Sequence, residues 1–179
     1  MNDARRPANG RHARGITSTI GALLLVLTLG LPSVGSGAGT HSMIGGALGY
    51  AWSKSPIVAF LVGFASHALL DVMPHHDPDP GDGPDIALFS AFNIGTLFAT
   101  MELYRACGRD PRFLWGAIGG ALPDLEHLIF YKACKGFDLC AAKLYPTHDG
   151  TLPHLGGAPI LVGYPLELGA CLLAIRIAF

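Results

Sequence analysis

The sequence predicts an all-α fold, a polytopic membrane helical bundle of about five or six helices, and three observations predict it. Half of the 179 residues are hydrophobic and only 14% are charged, whereas an ordinary soluble domain carries roughly 25% charged residues. Apolar stretches recur at 40–52, 56–73, 86–103, 113–131 and 158–179, and mean hydropathy is +0.41. Across 56–70 and 86–101 there is no charged residue at all, so these segments lack the polar outer face that a soluble helix needs.

The chain divides into a tail at 1–39 and a bundle at 40–179. Arg5, Arg6, Arg11 and Arg14 precede an uncharged stretch at 15–40 whose apolar centre runs from Ala22 to Leu31, the pattern of a signal sequence or a signal anchor. Small residues at 33–39 resemble a cleavage region. His12 lies in this basic tail and carries no expected role.

The stretch at 40–52 is short and holds Gly45, Gly46 and Gly49, which suit close helix packing or a re-entrant segment. A span needs roughly 20 apolar residues, within a range of about 17 to 25. By that measure 56–73, 86–103, 113–131 and 158–179 are expected to cross.

Cytoplasmic loops carry the excess of lysine and arginine. Alternating from a cytoplasmic N-terminus places Lys54, Arg105, Arg109, Arg112 and Arg176 inside, and the loops at 74–84 and 132–156 outside. Lys132, Lys135 and Lys143 run against this scheme, while the 74–84 loop is acidic and has no basic residue. The reading is a multi-pass protein of a bacterial inner membrane with lipid as its surroundings. A net charge of −1 provides no basic surface for nucleic acid. Cys107, Cys134, Cys140 and Cys171 show neither C-x-x-C nor zinc-finger spacing; Cys134 and Cys140 read equally as a bridge or as two small apolar residues.

Seven of the eight histidines lie beyond the tail, and five of them stand within four residues of an acid. His67 and Asp71 are four residues apart and Asp124 and His127 three apart, so each pair shares one helix face and can chelate one ion. Ionisable groups inside apolar segments are costly and tend to mark functional sites. The candidate metal ligands are His41, His67, Asp71, His75, His76, Asp124 and His127. The bland accounts are interhelical hydrogen bonding by His67, helix capping by Asp71 and Asp124, and a polar turn at Pro74-His-His-Asp77. His148, Asp149 and His154 emerge on the same expected side and are weaker candidates.

Imidazole with carboxylate suits zinc first, and manganese or iron next; the donors suffice for one or two ions. Such a site supports hydrolysis by metal-activated water, with Glu126 or Asp77 as the proton acceptor. A phosphoester or lipid is the expected substrate at the extracytoplasmic face. The alternatives are a metal-binding transporter, for which Glu167 inside the last span would be the relay acid, and a structural membrane protein without catalysis.

Thr40-His-Ser, Ser66-His-Ala-Leu-Leu-Asp71 and Gly119-Gly-Ala-Leu-Pro-Asp-Leu-Glu-His127 together resemble the bacterial membrane-bound metal-dependent hydrolase family over roughly residues 40 to 130. The resemblance implies a metal site and maps its hallmark positions onto His41, His67, Asp71, Asp124, Glu126 and His127. Here the proline-aspartate segment follows the serine-histidine segment, the reverse of the better-known members. Pro74-His-His-Asp77 is closer to a related group of polytopic membrane proteins.

Overall fold

The computed structural model describes residues 37–79, 82–126 and 144–179. The arginine-rich tail with its apolar centre, His127, and the segment carrying Cys134 and Cys140 lie outside the described residues. Five helices follow in order: α1 Ala38–Trp52, α2 Pro56–Asp71, α3 Gly83–Ala106, α4 Pro111–Ala121 and α5 Ile160–Ala178. A further helical segment opens at 124–126, and no strand occurs among the described residues.

Local sequence explains where three of these helices begin. Ser55, Asp82 and Asp110 each accept a backbone N–H of the first turn through the side chain, and each is followed by proline within two positions. An N-cap oxygen satisfies a donor that has no partner within the helix, and proline at the first positions gives up a donor the helix does not need. The turn after α3 passes through Gly108 and Arg109, both at positive φ.

α1 is the hub, buried from Gly39 to Gly49 and packed against all four other helices. Glycine at the crossings makes this possible. A Cβ at Gly45 would lie 2.5 Å from the Gly116 carbonyl oxygen, and one at Gly63 would lie 2.0 Å from that same oxygen. No side chain fits there, so α1, α2 and α4 meet backbone to backbone.

Helix lengths differ from the expected spans. Among the described residues two helices, α3 with 24 residues and α5 with 19, are long and apolar enough to cross a membrane. α2 stops after 16 residues. The expected span at 113–131 is broken, because α4 ends at Ala121 and Pro123 cannot continue a helix hydrogen-bond ladder.

Polarity is arranged with the polar groups inside. Thr40, Ser42, Ser66, Asn93, Thr96, Thr100 and Glu167 are buried, while Leu61, Leu69, Phe98, Leu161, Leu168 and Leu172 are exposed. The alternating helix directions gather the start of α1, the end of α2, the start of α3, the end of α4 and the start of α5 at one end. Lys54, Arg105, Arg109, Arg112 and Arg176, the described lysines and arginines, belong to the opposite end, where Arg112 donates to the Ser53 carbonyl at 3.0 Å.

Candidate metal centre

The histidines and carboxylates meet at the first of these two ends. His67 and Asp71 occupy adjacent turns of α2, and helical spacing brings His67 Nε2 to 3.3 Å from Asp71 Oδ2. The first turn of α1 supplies His41, whose Nε2 lies 3.6 Å from Asp71 Oδ1. Directly after Pro123, Asp124 Oδ1 stands 3.7 Å from His67 Nε2. All four residues are buried.

The segment at 144–159 adds two more histidines. It is pinned to α2 by Tyr145, whose hydroxyl donates to the Phe64 carbonyl at 2.6 Å and accepts the Ala68 N–H at 2.9 Å, bridging one turn of the helix. Further along, Leu155 N–H donates to the Asp71 carbonyl at 2.8 Å and Ala158 N–H to the His75 carbonyl at 2.9 Å. This lacing brings His148 Nε2 to 3.4 Å from His67 Nε2 and 3.5 Å from Asp71 Oδ2. Thr147 Oγ1 donates to Asp71 Oδ2.

The second ring nitrogens set the direction of the lone pairs. His67 Nδ1 lies 2.7 Å from the Gly120 carbonyl, His75 Nδ1 lies 2.9 Å from the Met73 carbonyl and His148 Nδ1 lies 3.1 Å from Glu126 Oε2. Each of these oxygens only accepts, so each Nδ1 donates and Nε2 is left as the nitrogen that faces the cluster. Three Nε2 atoms therefore point toward carboxylates, those of His67 and His148 also toward each other. The same arrangement orients metal-ligating histidines in general.

A second group adjoins the first. His75 Nε2 and His154 Nε2 are 3.2 Å apart, His75 Nε2 is 3.4 Å from Asp77 Oδ1, and His154 Nε2 is 3.3 Å from Asp77 Oδ2. His154 Nδ1 faces Asp71 Oδ2 at 3.7 Å. Flanked by the Asp71 and Asp77 carboxylates, the His154 imidazole is pushed up to about 9. His41 Nδ1, Asp71 Oδ1 and His154 Nδ1 are buried without a hydrogen-bond partner, a cost that an occupant of the cluster would offset.

Among the described residues three overlapping donor sets could hold a divalent ion: His41 with His67 and Asp71, His67 with Asp124 and His148, and Asp71 with His75 and His154. The structure thus brings together His41, His67, Asp71, His75 and Asp124 of the sequence candidates. It turns His76 away, to Asp85 Oδ1 at 2.7 Å and the Ala158 carbonyl at 2.9 Å. Asp77 lies in the second group. Glu126 accepts from His148 and from the backbone N–H groups of Leu144 and Tyr145. His148 and His154 join the cluster although their sequence spacing is that of an ordinary loop; the run Thr147-His148-Asp149 is the one local hint. For Tyr145 no sequence signal exists.

A small cavity runs beside the cluster, lined by Thr40, His41, Met73, His75, Leu166 and Glu167. Thr40 Oγ1 donates to Glu167 at 3.2 Å, and the His76 N–H approaches the same carboxylate at 3.4 Å. Comparisons with protein-family models, with curated proteins and with solved structures return no match.

Proposed function

We propose that the chain is a membrane-embedded, metal-dependent hydrolase whose buried centre is built on His67, Asp71, Asp124 and His148. One observation carries the metal reading. Ligands 2.0–2.1 Å from a tetrahedral ion are separated from one another by about 3.3–3.4 Å; His67 Nε2, Asp71 Oδ2 and His148 Nε2 form a triangle with sides of 3.3, 3.4 and 3.5 Å, and Asp124 Oδ1 lies 3.7 Å from His67 Nε2. Imidazole nitrogens and carboxylates held at that spacing, with no lysine or arginine beside them among the described residues, call for a cation between them.

The inverted polarity supports the membrane setting. A soluble bundle would not expose Leu161 at 88% and Leu61 at 58% while burying Asn93 and Glu167, whereas lipid-facing helices do so naturally. The positive-inside tendency then puts the end bearing Arg105, Arg109 and Arg112 in the cytoplasm and the centre at the extracytoplasmic face, in keeping with the resemblance to membrane-bound metal-dependent hydrolases.

A zinc-like ion here would polarise a phosphoryl or carbonyl oxygen and lower the pKa of water. The chain's own residues prepare for it. Gly120, Met73 and Glu126 fix the histidine tautomers, Thr147 holds the Asp71 carboxylate, and Pro123 sets Asp124 at the start of a helix facing His67. The cavity leads from His41 and His75 to Glu167. A site at this depth meets lipid headgroups first, so a phosphoester is the preferred substrate class.

The test is elemental analysis of the purified full-length protein after zinc loading, beside a His67→Ala/Asp124→Ala variant, with hydrolysis of bis(p-nitrophenyl) phosphate and p-nitrophenyl phosphate measured in parallel. Bound zinc and turnover that both disappear in the variant are expected. Wild type without bound metal sinks the metal reading; bound metal with neither probe turned over sinks the phosphoesterase reading. Glu167, buried within α5 and facing the same cavity, favours a second reading as an ion or proton pathway. In that case Glu167→Gln would abolish transport in vesicles while leaving the zinc content unchanged.

A further inference from the structure

We infer that a second divalent ion binds beside the first, held by His75 Nε2, His154 Nε2 and the Asp77 carboxylate, with Asp71 standing between the two positions. The inference rests on the metal reading above but on a different set of atoms. His75 Nε2 and His154 Nε2 are 3.2 Å apart, and the Asp77 carboxylate meets them with different oxygens, Oδ2 at 3.3 Å from His154 Nε2 and Oδ1 at 3.4 Å from His75 Nε2; each is the spacing of two ligands on one ion with bonds of about 2.1 Å. Three protein residues on one face of an ion leave a fourth position open. Structural zinc sites close all four positions, whereas catalytic ones keep one for water or substrate.

Several features build this face deliberately. Backbone pairing holds both loops in place, with His75 N–H on the Leu155 carbonyl at 3.2 Å and Ala158 N–H on the His75 carbonyl at 2.9 Å. The Met73 carbonyl fixes the His75 tautomer. A Cβ at Gly156 would sit 1.8 Å from Asp77 Oδ2 and 2.9 Å from His154 Nε2, so glycine is what allows the carboxylate and the imidazole to lie against that backbone. Asp71 reaches both groups, through Oδ2 to His67 and His148 in one and to His154 in the other.

The position is more accessible than its neighbour. The Asp77 side chain is 28% exposed and that of His154 25%, against 0% for His67 and Asp71. His75 also lines the cavity that leads to Glu167. The inner ion is therefore the enclosed one and the outer ion faces incoming substrate. Paired ions suit displacement at phosphorus, where attacking and leaving oxygens both need stabilisation. The rival occupant is a proton. A doubly protonated His154 would donate to Asp71 and to Asp77, and His75 would accept nothing but a weak contact.

Zinc stoichiometry at saturation separates these occupants, using the full chain in detergent, equilibrium dialysis against zinc chloride and elemental analysis. Wild type is expected to hold two equivalents, His75→Ala/His154→Ala one, and Asp124→Ala/His148→Ala one or none. Asp77→Asn, a near-isosteric change at a partly exposed position, repeats the test should the double variant not fold, and it too is expected to lose one equivalent. A wild type that saturates at one equivalent retained by His75→Ala/His154→Ala overturns the second ion and leaves the inner centre standing. A single equivalent lost in that variant but retained in Asp124→Ala/His148→Ala overturns the inner centre instead, and zero equivalents overturn both.

Discussion

Replacing Glu126 with glutamine tests whether this carboxylate acts through His148. The carboxylate takes His148 Nδ1 at 3.1 Å and Tyr145 N–H at 3.1 Å, and also the Leu144 N–H. Glutamine keeps one accepting oxygen, which the two backbone donors claim, and turns its amide toward His148. An amide N–H makes Nδ1 an acceptor and moves the ring proton to Nε2, where it occupies the lone pair that faces His67 and Asp71. Losing such an orienting partner generally costs 10–100-fold in metal affinity, or about 1.4–2.7 kcal/mol. Competition titration of zinc against a chromophoric chelator measures it, with circular dichroism confirming an unchanged helix content. An affinity for Glu126→Gln within twofold of wild type would refute the argument, and it would return Glu126 to the role of a proton acceptor.

Zinc at a hundredfold excess over its Kd should stabilise the fold by about 2.7 kcal/mol; this appears as a rise in Tm in detergent that chelator reverses, and its absence in wild type would count against a preformed centre. Tyr145→Phe removes the hydroxyl that bridges Phe64 and Ala68, so stability should drop by about 1–2 kcal/mol with weaker zinc binding, whereas unchanged zinc affinity would show that the His148 loop is held elsewhere. Gly63→Ala drives a methyl into the Gly116 carbonyl while Gly95 has open space around it; the first should cost about 3 kcal/mol and Gly95→Ala nothing, as thermal unfolding reports. Cysteines introduced at Asp149 and at Arg109, in a chain whose own cysteines are replaced by serine, should label from opposite sides of the membrane in intact cells. Labelling from one side would sink the crossing of the bundle.

The sequence by itself determined that the described chain is helical and that its ionisable groups sit among apolar residues. It also determined the His67/Asp71 pair, because four-residue spacing on one helix is local geometry and needs no neighbour. Helix length was less secure: hydropathy alone runs through 113–131, but Pro123 divides that stretch. What only the tertiary structure decided is which donors meet. His41 reaches Asp71 because glycines let α1 lie against α2 and α4. His148 and His154 arrive because Tyr145 and Leu155 lace a loop onto α2, while the Asp85 carboxylate draws His76 away from its neighbour His75. Periodicity specifies which residues share a face of one element; which faces then enclose a common space depends on backbone approach and loop route, and these are properties of the packed molecule.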